Sequence, residues 1–600
     1  MSNKELKSRS EMDPIYSWNL NDIISNQQEW DDLFSLVGKE VDEIASLSGT
    51  IMSSPEALYH CLNKKDELLI KFYRIYVFSN MTLHQDTNDS NSQTLVQKVG
   101  SLQVTVSSKL AFIEPEIMAC DEDIIKSFVS ENAALSLYSH YLNDMLRQKA
   151  HILPKEQEEL LALAGDFAST PTNIFSMFMN ADLVLPEVID DDNNTIRLTH
   201  GNYLKLLKSS NVEVRKAAFE AMLTTVESNK NTLTSIYLSS LKKDVFETRA
   251  RKFSTCCEAS LYGNNIDVKV YDNLIQTVHE HLPLLHRYVA LRKKMLGVSE
   301  LHMYDLYTPM VKDMDEKINF ADGKDLVLEA LKPLGSEYLS IVEEGFSNEW
   351  IDVYENKGKR SGAYSWGTYG VHPYVLLNYQ DTLNNTFTLA HEMGHAVHSY
   401  YSRDNQAFVN SSYPIFLAEV ASTVNESLLI HHLLKTTTEK EKRIYLINHY
   451  MESFRTTLYR QVMFAEFERK SHDLVEKGEA VTSDVLNSIH LELNQQYYGN
   501  DIIVDDLVKY EWARIPHFYT SFYVYQYATG FSSAVTLSKD ILEKGQPAVD
   551  KYKDFLKSGC SKYPLDTLED AGVDMTTSAP VEKALKVFAG LLDEIELLIG

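Results

Sequence analysis

Residues 391–395 read His-Glu-Met-Gly-His, and this pentapeptide constrains the fold more than any other stretch of the 600-residue chain. Two histidines four positions apart lie one turn apart on the same face of an α-helix, so both imidazoles can reach one metal ion. The flanking residues are mostly apolar, which predicts a buried helix, and buried imidazoles need partners. The alternative is a surface helix with two solvated histidines.

A second helix is predicted at 415–430, IFLAEVASTVNESLLI, and it contains the isolated carboxylate of Glu419. Catalytic zinc sites usually take three protein ligands, and a lone carboxylate among apolar residues is costly to bury without a cation. We therefore expect Glu419 to be the third ligand, unless it reaches solvent on a half-exposed face. Glu426 is the rival ligand, and we expect it to act behind the ligands or at the surface. Ser422 could orient a ligand by a hydrogen bond, and His398 is expected to be a neighbour of the site or solvated.

Glu392 follows the first histidine and could act on a water molecule at the metal. Zinc bound by three protein ligands leaves a position open, and a water molecule there loses its proton near neutral pH. Glu392 would then be the general base. The reaction class that this pattern predicts is metal-assisted hydrolysis, most often of a peptide bond.

An aromatic segment at 517–527, HFYTSFYVYQY, holds one imidazole and four phenols. Attack on a peptide carbonyl builds negative charge on its oxygen, and donors aimed at that oxygen stabilise it. The alternative interpretation is an aromatic core helix. The candidate donors are His517, Tyr519, Tyr523, Tyr525 and Tyr527.

The segment 350–379 contains three short β-like runs, at 351–354, 363–366 and 374–379, separated by glycine-bearing turns. An exposed edge strand just before the metal helix could pair with the backbone of an extended peptide. The glycines would let the loop close over a substrate, although a plain hairpin is the alternative. The candidate substrate contacts are Gly362, Tyr364, Gly367 and Tyr369.

Several segments together resemble one family, and they run nearly from end to end of the chain. They are HEMGHAVHSYYSR at 391–403, PIFLAEVASTVNE at 414–426, RIPHFYTSFYVYQYATG at 514–530, GKRSGAYSWG at 358–367 and the opening YSWNL at 16–20. In these segments the chain is similar to the thimet oligopeptidase superfamily of zinc peptidases, and most closely to its oligoendopeptidase F branch.

The resemblance implies a set of roles for the candidate residues. His391, His395 and Glu419 would bind one catalytic Zn²⁺, and Glu392 would be the general base. His517, Tyr523 and Tyr527 would stabilise the oxyanion. The spacing from the histidine to the first of these tyrosines is one residue longer than in the thimet branch, so the choice among the four tyrosines stays open.

The resemblance also implies an architecture and a substrate class. The fold would be mainly α and two-lobed, with a deep central channel and a small antiparallel β-sheet beside the zinc helix. Such a channel would admit short, unfolded oligopeptides for endoproteolytic cleavage. The alternatives are a peptidyl-dipeptidase or metallocarboxypeptidase of similar architecture, and an inactive peptide-binding relative.

The whole chain narrows the class of protein further. A formal net charge of −28 argues against a nucleic-acid partner and against binding to anionic membranes. No run reaches the roughly 18–20 apolar residues of a membrane span, the amino terminus lacks the apolar core of a signal peptide, and five cysteines are too few for a disulfide framework. We expect a cytoplasmic monomer or homodimer.

The domain boundary is predicted near a hairpin at 182–200. The residues around Asp190 to Asn194 are turn formers between two β-like runs. Apolar spacing of three and four predicts that the first 180 residues are mostly helical. The predicted domains are therefore an N-terminal helical domain at 1–190 and a catalytic domain at 191–600.

Overall fold

The computed structural model describes residues 6–311 and 317–600, and most of these residues are helical. The α-helices are α1 (Gln27–Ala45), α2 (Pro55–Gln85), α3 (Ser90–Leu110), α4 (Ile113–Met118), α5 (Glu122–Glu131), α6 (Ser139–Gln148), α7 (Lys155–Ala168), α8 (Thr170–Met177), α9 (His200–Leu207), α10 (Val212–Ser228), α11 (Lys230–Ala250), α12 (Cys256–Tyr262), α13 (Val268–Glu280), α14 (Leu282–Leu296), α15 (Phe320–Leu331), α16 (Ser336–Ser347), α17 (Leu383–Asn405), α18 (Ile415–Thr436), α19 (Lys440–Ser453), α20 (Arg460–Glu476), α21 (Ser483–Tyr498), α22 (Tyr525–Lys544), α23 (Gln546–Lys557), α24 (Pro564–Asp570) and α25 (Ala579–Ile599). The strands are β1 (Glu187–Ile189), β2 (Thr195–Arg197), β3 (Ile351–Asp352), β4 (Tyr364–Trp366) and β5 (Tyr374–Leu376). The predicted mainly α fold is confirmed.

Contacts divide the chain into two compact units, each built from three separate segments. The first unit contains Met1–Ala150, Glu316–His432 and Leu537–Val573, and the second contains His151–Asp315, Leu433–Thr536 and Asp574–Gly600. The two units are defined by contacts between residues, and each combines segments that are distant in the sequence. The linear division at residue 190 therefore stays a prediction, as does the central channel.

The first unit forms around α1–α3, which pack on one another. The side chain of Asn26 accepts from the Glu29 N–H at the start of α1, and Ser54 caps α2 in the same way. Trp30 is buried between these helices and its indole N–H donates to Ser79 Oγ at 2.9 Å. The same core extends to the side chains of Tyr374 and Leu376, so β5 is anchored on the N-terminal helices.

The small sheet in the first unit has the strand order β3-β5-β4, which leaves β4 at an edge. Strand β4 is antiparallel to β5, and both pack on α17. The small antiparallel pairing predicted beside the metal helix is therefore confirmed, and β3 extends it as a parallel strand on the other side of β5.

The second unit packs α10, α11, α20 and α21 around a 3-10 helix, Asp506–Arg514. Its interior holds a buried ion pair between Arg215 and Asp305, with the nitrogen and oxygen 2.6 Å apart. Strands β1 and β2 pair antiparallel, which confirms the hairpin predicted at 182–200. Among the described residues, no helix combines the length and the apolar character that a membrane crossing requires.

Candidate active site

Helix α17 carries the pentapeptide, and most of the helix is interior. Thr382 caps its start by accepting from the Asn385 N–H. Leu389, Ala390, Met393 and Val397 are fully buried. The surface-helix interpretation of the two histidines is therefore wrong.

The side chains of His391, His395 and Glu419 meet between α17 and α18. Glu419 Oε2 lies 3.4 Å from His391 Nε2 and 3.6 Å from His395 Nε2. The ligand atoms of all three side chains lie within 4.8 Å of one another. Two atoms that share one tetrahedral zinc ion at about 2.0–2.1 Å would lie about 3.3 Å apart, so the spacing and the donor types fit a zinc ion.

Glu426 lies behind the first histidine and not among the ligand atoms. Its Oε1 is 2.9 Å from His391 Nδ1. A carboxylate at Nδ1 keeps the proton on that nitrogen, which leaves Nε2 free to bind a metal. The expected place of Glu426 behind the ligands agrees with this contact.

Close approach of the two helices is possible because residue 394 is a glycine. A Cβ atom there would lie 2.6 Å from the Ser422 Cα and 2.7 Å from the Ala421 carbonyl oxygen. The Ser422 hydroxyl donates to Glu419 Oε2 at 3.0 Å, as the sequence suggested, and Asn425 Nδ2 donates to the Ala390 carbonyl at 3.1 Å. The glycine and the Asn425 bond fix α18 against α17, and the Ser422 bond orients Glu419 within α18.

The charges of the cluster determine which of its three side chains carry a proton. Burial alone would lower the pKa of His391, but Glu426 and Glu419 outweigh burial and raise it well above its ordinary value. Burial and the neighbouring His391 lower the pKa of His395 to about 4. Burial would raise the pKa of Glu419, yet its hydrogen bond with His391 and the two imidazoles bring it to about 2. Without a metal the cluster thus holds a proton on His391, and a cation that binds there displaces it.

Glu392 is buried beside the metal cluster, and its Oε2 has no hydrogen-bond partner among the described residues. Burial is the largest cause that raises its pKa, to about 7, and the charges of Glu419 and Glu426 act in the same direction. The charge of His391 acts in the opposite direction, and so, to a smaller extent, does the Ser365 N–H of β4. A carboxyl group with a pKa near neutrality can both accept and release a proton.

His398 is fully buried and stacks on the ring of Tyr413, with centroids 3.7 Å apart. It is therefore a buried residue of α17 itself, about one turn after His395, and is not solvated. Its burial lowers its pKa to about 3. His398 is not among the three residues of the metal cluster.

The aromatic segment lies in the second unit, and three of its five candidate donors cluster there. The ring of His517 lies 6.3 Å from that of Tyr523 and 6.1 Å from that of Tyr527, and the two tyrosine rings are 5.5 Å apart. Tyr519 instead stacks on Phe175, and Tyr525 is buried against Tyr271. Tyr525 belongs to the core and Tyr519 is held away from the other three by its stacking partner, which favours His517, Tyr523 and Tyr527 as the donors.

The segment is not the single helix of the core-helix interpretation. A 3-10 helix, Pro516–Tyr519, ends before a turn, and α22 begins only at Tyr525. Phe522 within this turn has a φ of +58°, a left-handed conformation that a bulky residue rarely adopts. The turn brings Tyr523 back beside His517.

The loop candidates occupy the surroundings of β4. Gly362 lies before the strand with a φ of +87°, and Gly367 follows it, close to Arg403. The hydroxyl of Tyr364 is bonded to His84 Nδ1 at 2.7 Å, and the Tyr369 hydroxyl donates to the Gln406 carbonyl at 3.0 Å. Both hydroxyls are thus engaged within the chain, and a role for these four residues in substrate binding stays a prediction.

Ser365 is the site residue that sequence reasoning missed. Its neighbours Tyr364 and Trp366 pack on the core of α1–α3, so alternation along β4 turns the Ser365 side chain to the opposite face, and its backbone N–H contacts Glu392. The period-2 pattern of a strand could have identified it. Its buried Oγ has no partner among the described residues.

Comparison with known proteins relates the chain to one group of peptidases. The family model "Peptidase family M3" matches residues 205–587, and "Oligopeptidase F" matches residues 116–184. Oligopeptidase PepF of Bacillus subtilis is 45% identical over 99% of this chain and 89% of its own. An oligoendopeptidase F homolog of Lactococcus lactis subsp. lactis is 40% identical over 99% of both chains.

Solved structures agree with the sequence comparison. The crystal structure of oligoendopeptidase-F from Enterococcus faecium is 37% identical, with a TM-score of 0.75, and the match covers 95% of this chain and 99% of that one. A crystal structure from Chlamydophila abortus has a TM-score of 0.92 at 33% identity, over 99% of this chain and all of the other.

Proposed function

The chain belongs to peptidase family M3, in its oligoendopeptidase F branch, and because it is therefore a peptidase we propose that it is a zinc-dependent endopeptidase that hydrolyses short, unfolded oligopeptides. The observation that carries this proposal is the cluster of His391, His395 and Glu419 beside the buried Glu392. These three side chains would hold a zinc ion, which when bound would supply Lewis-acid chemistry toward a peptide carbonyl and a water molecule.

Glu392 carries the proton transfer in the proposed mechanism. Its pKa near 7 allows its Oε2 to take a proton from the attacking water and later to give one to the leaving amine. The Ser365 N–H favours the charged form of this carboxylate, and the dry surroundings favour the neutral form. These opposed effects support a group that changes its charge during the reaction.

Strand β4 is the proposed docking edge for the substrate backbone. The N–H groups of Val375 and Leu377 donate to the Trp350 and Asp352 carbonyls on the β3 side. The residues between them, Tyr374 and Leu376, therefore face β4 and pair with Trp366 and Tyr364.

This register turns the backbone N–H and C=O of Ser365 to the edge of β4 that faces away from β5, where the N–H contacts the Glu392 carboxylate and the C=O is left to accept from a substrate. An extended peptide that adds there as a strand would place its backbone beside Glu392. Gly362 and Gly367 flank the strand and keep side chains away from both ends of this edge. Recognition through the backbone fits an enzyme that cleaves peptides of varied sequence.

The oxyanion donors in this proposal are His517, Tyr523 and Tyr527. Burial lowers the pKa of His517, so the neutral imidazole predominates at neutral pH and donates through its remaining N–H. Two phenol hydroxyls and one imidazole N–H are donors of the kind that stabilise a tetrahedral oxyanion.

We also propose that the enzyme works in the cytoplasm. The five cysteines are all free, as they would be in a reducing compartment. A monomer or homodimer stays a prediction.

Mass spectrometry of peptide digests tests the proposed function. Peptides of about 6–15 residues, each with free ends or with an acetylated amino end and an amidated carboxyl end, are incubated with the enzyme. Internal cleavage of both forms, lost on treatment with a chelator and restored by zinc, is expected. Cleavage of the free-ended peptides alone, two residues or one residue from an end, would instead identify a peptidyl-dipeptidase or carboxypeptidase. Cleavage unaffected by the chelator would contradict the metal-dependent mechanism.

A further inference from the structure

A buried polar seat lies beneath the turn that carries Tyr523. The seat is built by α11 and α20 in the second unit and consists of Asp244, Glu468 and His472. Glu468 and His472 are one turn apart on α20 and both are fully buried. His472 Nε2 lies 3.3 Å from Asp244 Oδ2, and its Nδ1 lies 2.8 Å from the Glu468 carbonyl oxygen.

Two bonds join the turn to this seat. The Phe522 N–H donates to Glu468 Oε1 at 3.0 Å, and the Ser521 hydroxyl donates to Asp244 Oδ2 at 2.6 Å. The ring of Phe522 packs on His472, with centroids 4.5 Å apart. The turn is therefore fixed by its backbone, by a hydroxyl and by a ring at adjacent residues.

Phe522, which donates to Glu468, is also the strained residue of the turn. Phe522 holds a φ of +58°, and an unsatisfied N–H in this interior would add the penalty of an unpaired donor to the strain. A left-handed non-glycine residue persists only when its surroundings hold it there. Since Tyr523 is the next residue, the orientation of the Phe522 peptide sets the position and direction from which the Tyr523 side chain extends.

We propose that Glu468 and Asp244 are positioning residues, which hold the Phe522 turn so that Tyr523 stands beside His517 and Tyr527. This inference rests on the proposed role of Tyr523 as an oxyanion donor. Complete burial raises the pKa of Glu468 well above its ordinary value, which favours the neutral carboxyl group, and glutamine keeps its size and an acceptor oxygen.

Steady-state kinetics on a set of variants tests the proposal, with thermal melting as the second readout. Glu468→Leu removes the acceptor, and we expect kcat to fall about 10–100-fold while KM changes less than about two-fold. Glu468→Gln keeps an acceptor oxygen for the Phe522 N–H and should restore most of the kcat. An equal loss in Glu468→Gln would overturn the proposal.

Glu466 offers a matched control on the same helix. It is also buried, but it is bonded to His279 and Tyr497 and does not touch the turn. Glu466→Leu should lower the melting temperature while it leaves kcat near the wild-type value. If Glu466→Leu and Glu468→Leu lower kcat equally, the effect is general destabilisation and the proposal is wrong.

Combination with Tyr523→Phe separates the inference from the proposed function. Adding Glu468→Leu to Tyr523→Phe should lower kcat little further, because Glu468 acts through Tyr523. A low kcat in Tyr523→Phe with a normal kcat in Glu468→Leu overturns only the positioning role of Glu468. A normal kcat in Tyr523→Phe overturns the proposed role of Tyr523 as an oxyanion donor, and the positioning role with it. If Glu468→Leu does not fold, Ser521→Ala serves instead: a several-fold loss of kcat with little change in melting temperature supports the proposal, and an unchanged kcat overturns it.

Discussion

Replacement of Gly394 by alanine should disrupt the metal cluster without removing any ligand. The added Cβ would lie 2.6 Å from the Ser422 Cα, which is about 0.8 Å short of ordinary van der Waals contact at 3.4 Å. Backbone cannot rotate away as a side chain can, so α17 and α18 must separate by roughly that amount. Glu419 lies one turn from Ser422 on α18 and would move with it.

The expected effect follows from the tolerance of metal coordination. The nitrogen–oxygen distances of 3.4 and 3.6 Å would each grow by up to about 0.8 Å, whereas ligand distances at a metal vary by only about 0.2 Å. We expect weaker metal binding, a loss of activity on the order of 100-fold and a loss of about 1–3 kcal/mol of stability from overpacking.

Peptide cleavage and bound metal are measured together for this variant. Gly100→Ala in α3 is the control, since its Cβ would meet nothing within 4 Å. Alanine there should raise stability by about 0.5–1 kcal/mol and leave activity unchanged. Wild-type activity and metal content in Gly394→Ala would refute the argument that the glycine sets the helix separation.

Three further predictions concern single carboxylates. Glu392→Gln should keep the bound metal but lower kcat about 10²–10⁴-fold, and retained activity would reject the general-base role. Glu426→Ala removes the bond to His391 Nδ1 and should weaken metal binding about 10–100-fold in a zinc-competition assay, and an unaltered affinity would show that this bond does not support the metal site. Burial alone would raise the pKa of Glu511, but the charge of Arg460 lowers it to about 2, below its ordinary 4.5. The charged carboxylate therefore stabilises the fold above pH 4.5 by roughly 2–4 kcal/mol, and this stability is lost as the pH falls toward 2. The difference in melting temperature between wild type and Glu511→Gln should therefore narrow from pH 6 to pH 3, and a constant difference would contradict the pKa shift.

The sequence predicted that His391, His395 and Glu419 would lie together, because the reasons for expecting this are local and chemical. The spacing of His391 and His395 fixes their common face, and an isolated Glu419 in an apolar helix needs a cation. The spacing between the two helices depends on a glycine whose neighbour lies across the interface. That dependence appears only when Gly394 and Ser422 are seen together.

Other features of the site could not be read from the sequence. The left-handed position at Phe522 is not occupied by glycine or asparagine, the residues that usually indicate such a turn. The segment 517–527 therefore resembled a continuous helix. The contact between Glu426 and His391 depends on how two side chains are oriented across two helices. Each of the two contact units combines three segments that are distant in the sequence, so a single boundary along the chain cannot describe them.

A zinc titration tests whether His391, His395 and Glu419 bind one metal ion. The purified protein is stripped with a chelator and titrated with zinc against a competing chromophoric indicator, alongside Glu419→Ala and the control Gly100→Ala. The account predicts one tight site per chain in wild type and control, with loss of that site in Glu419→Ala. An unchanged site in Glu419→Ala, or no tight site in the wild-type chain, would contradict it.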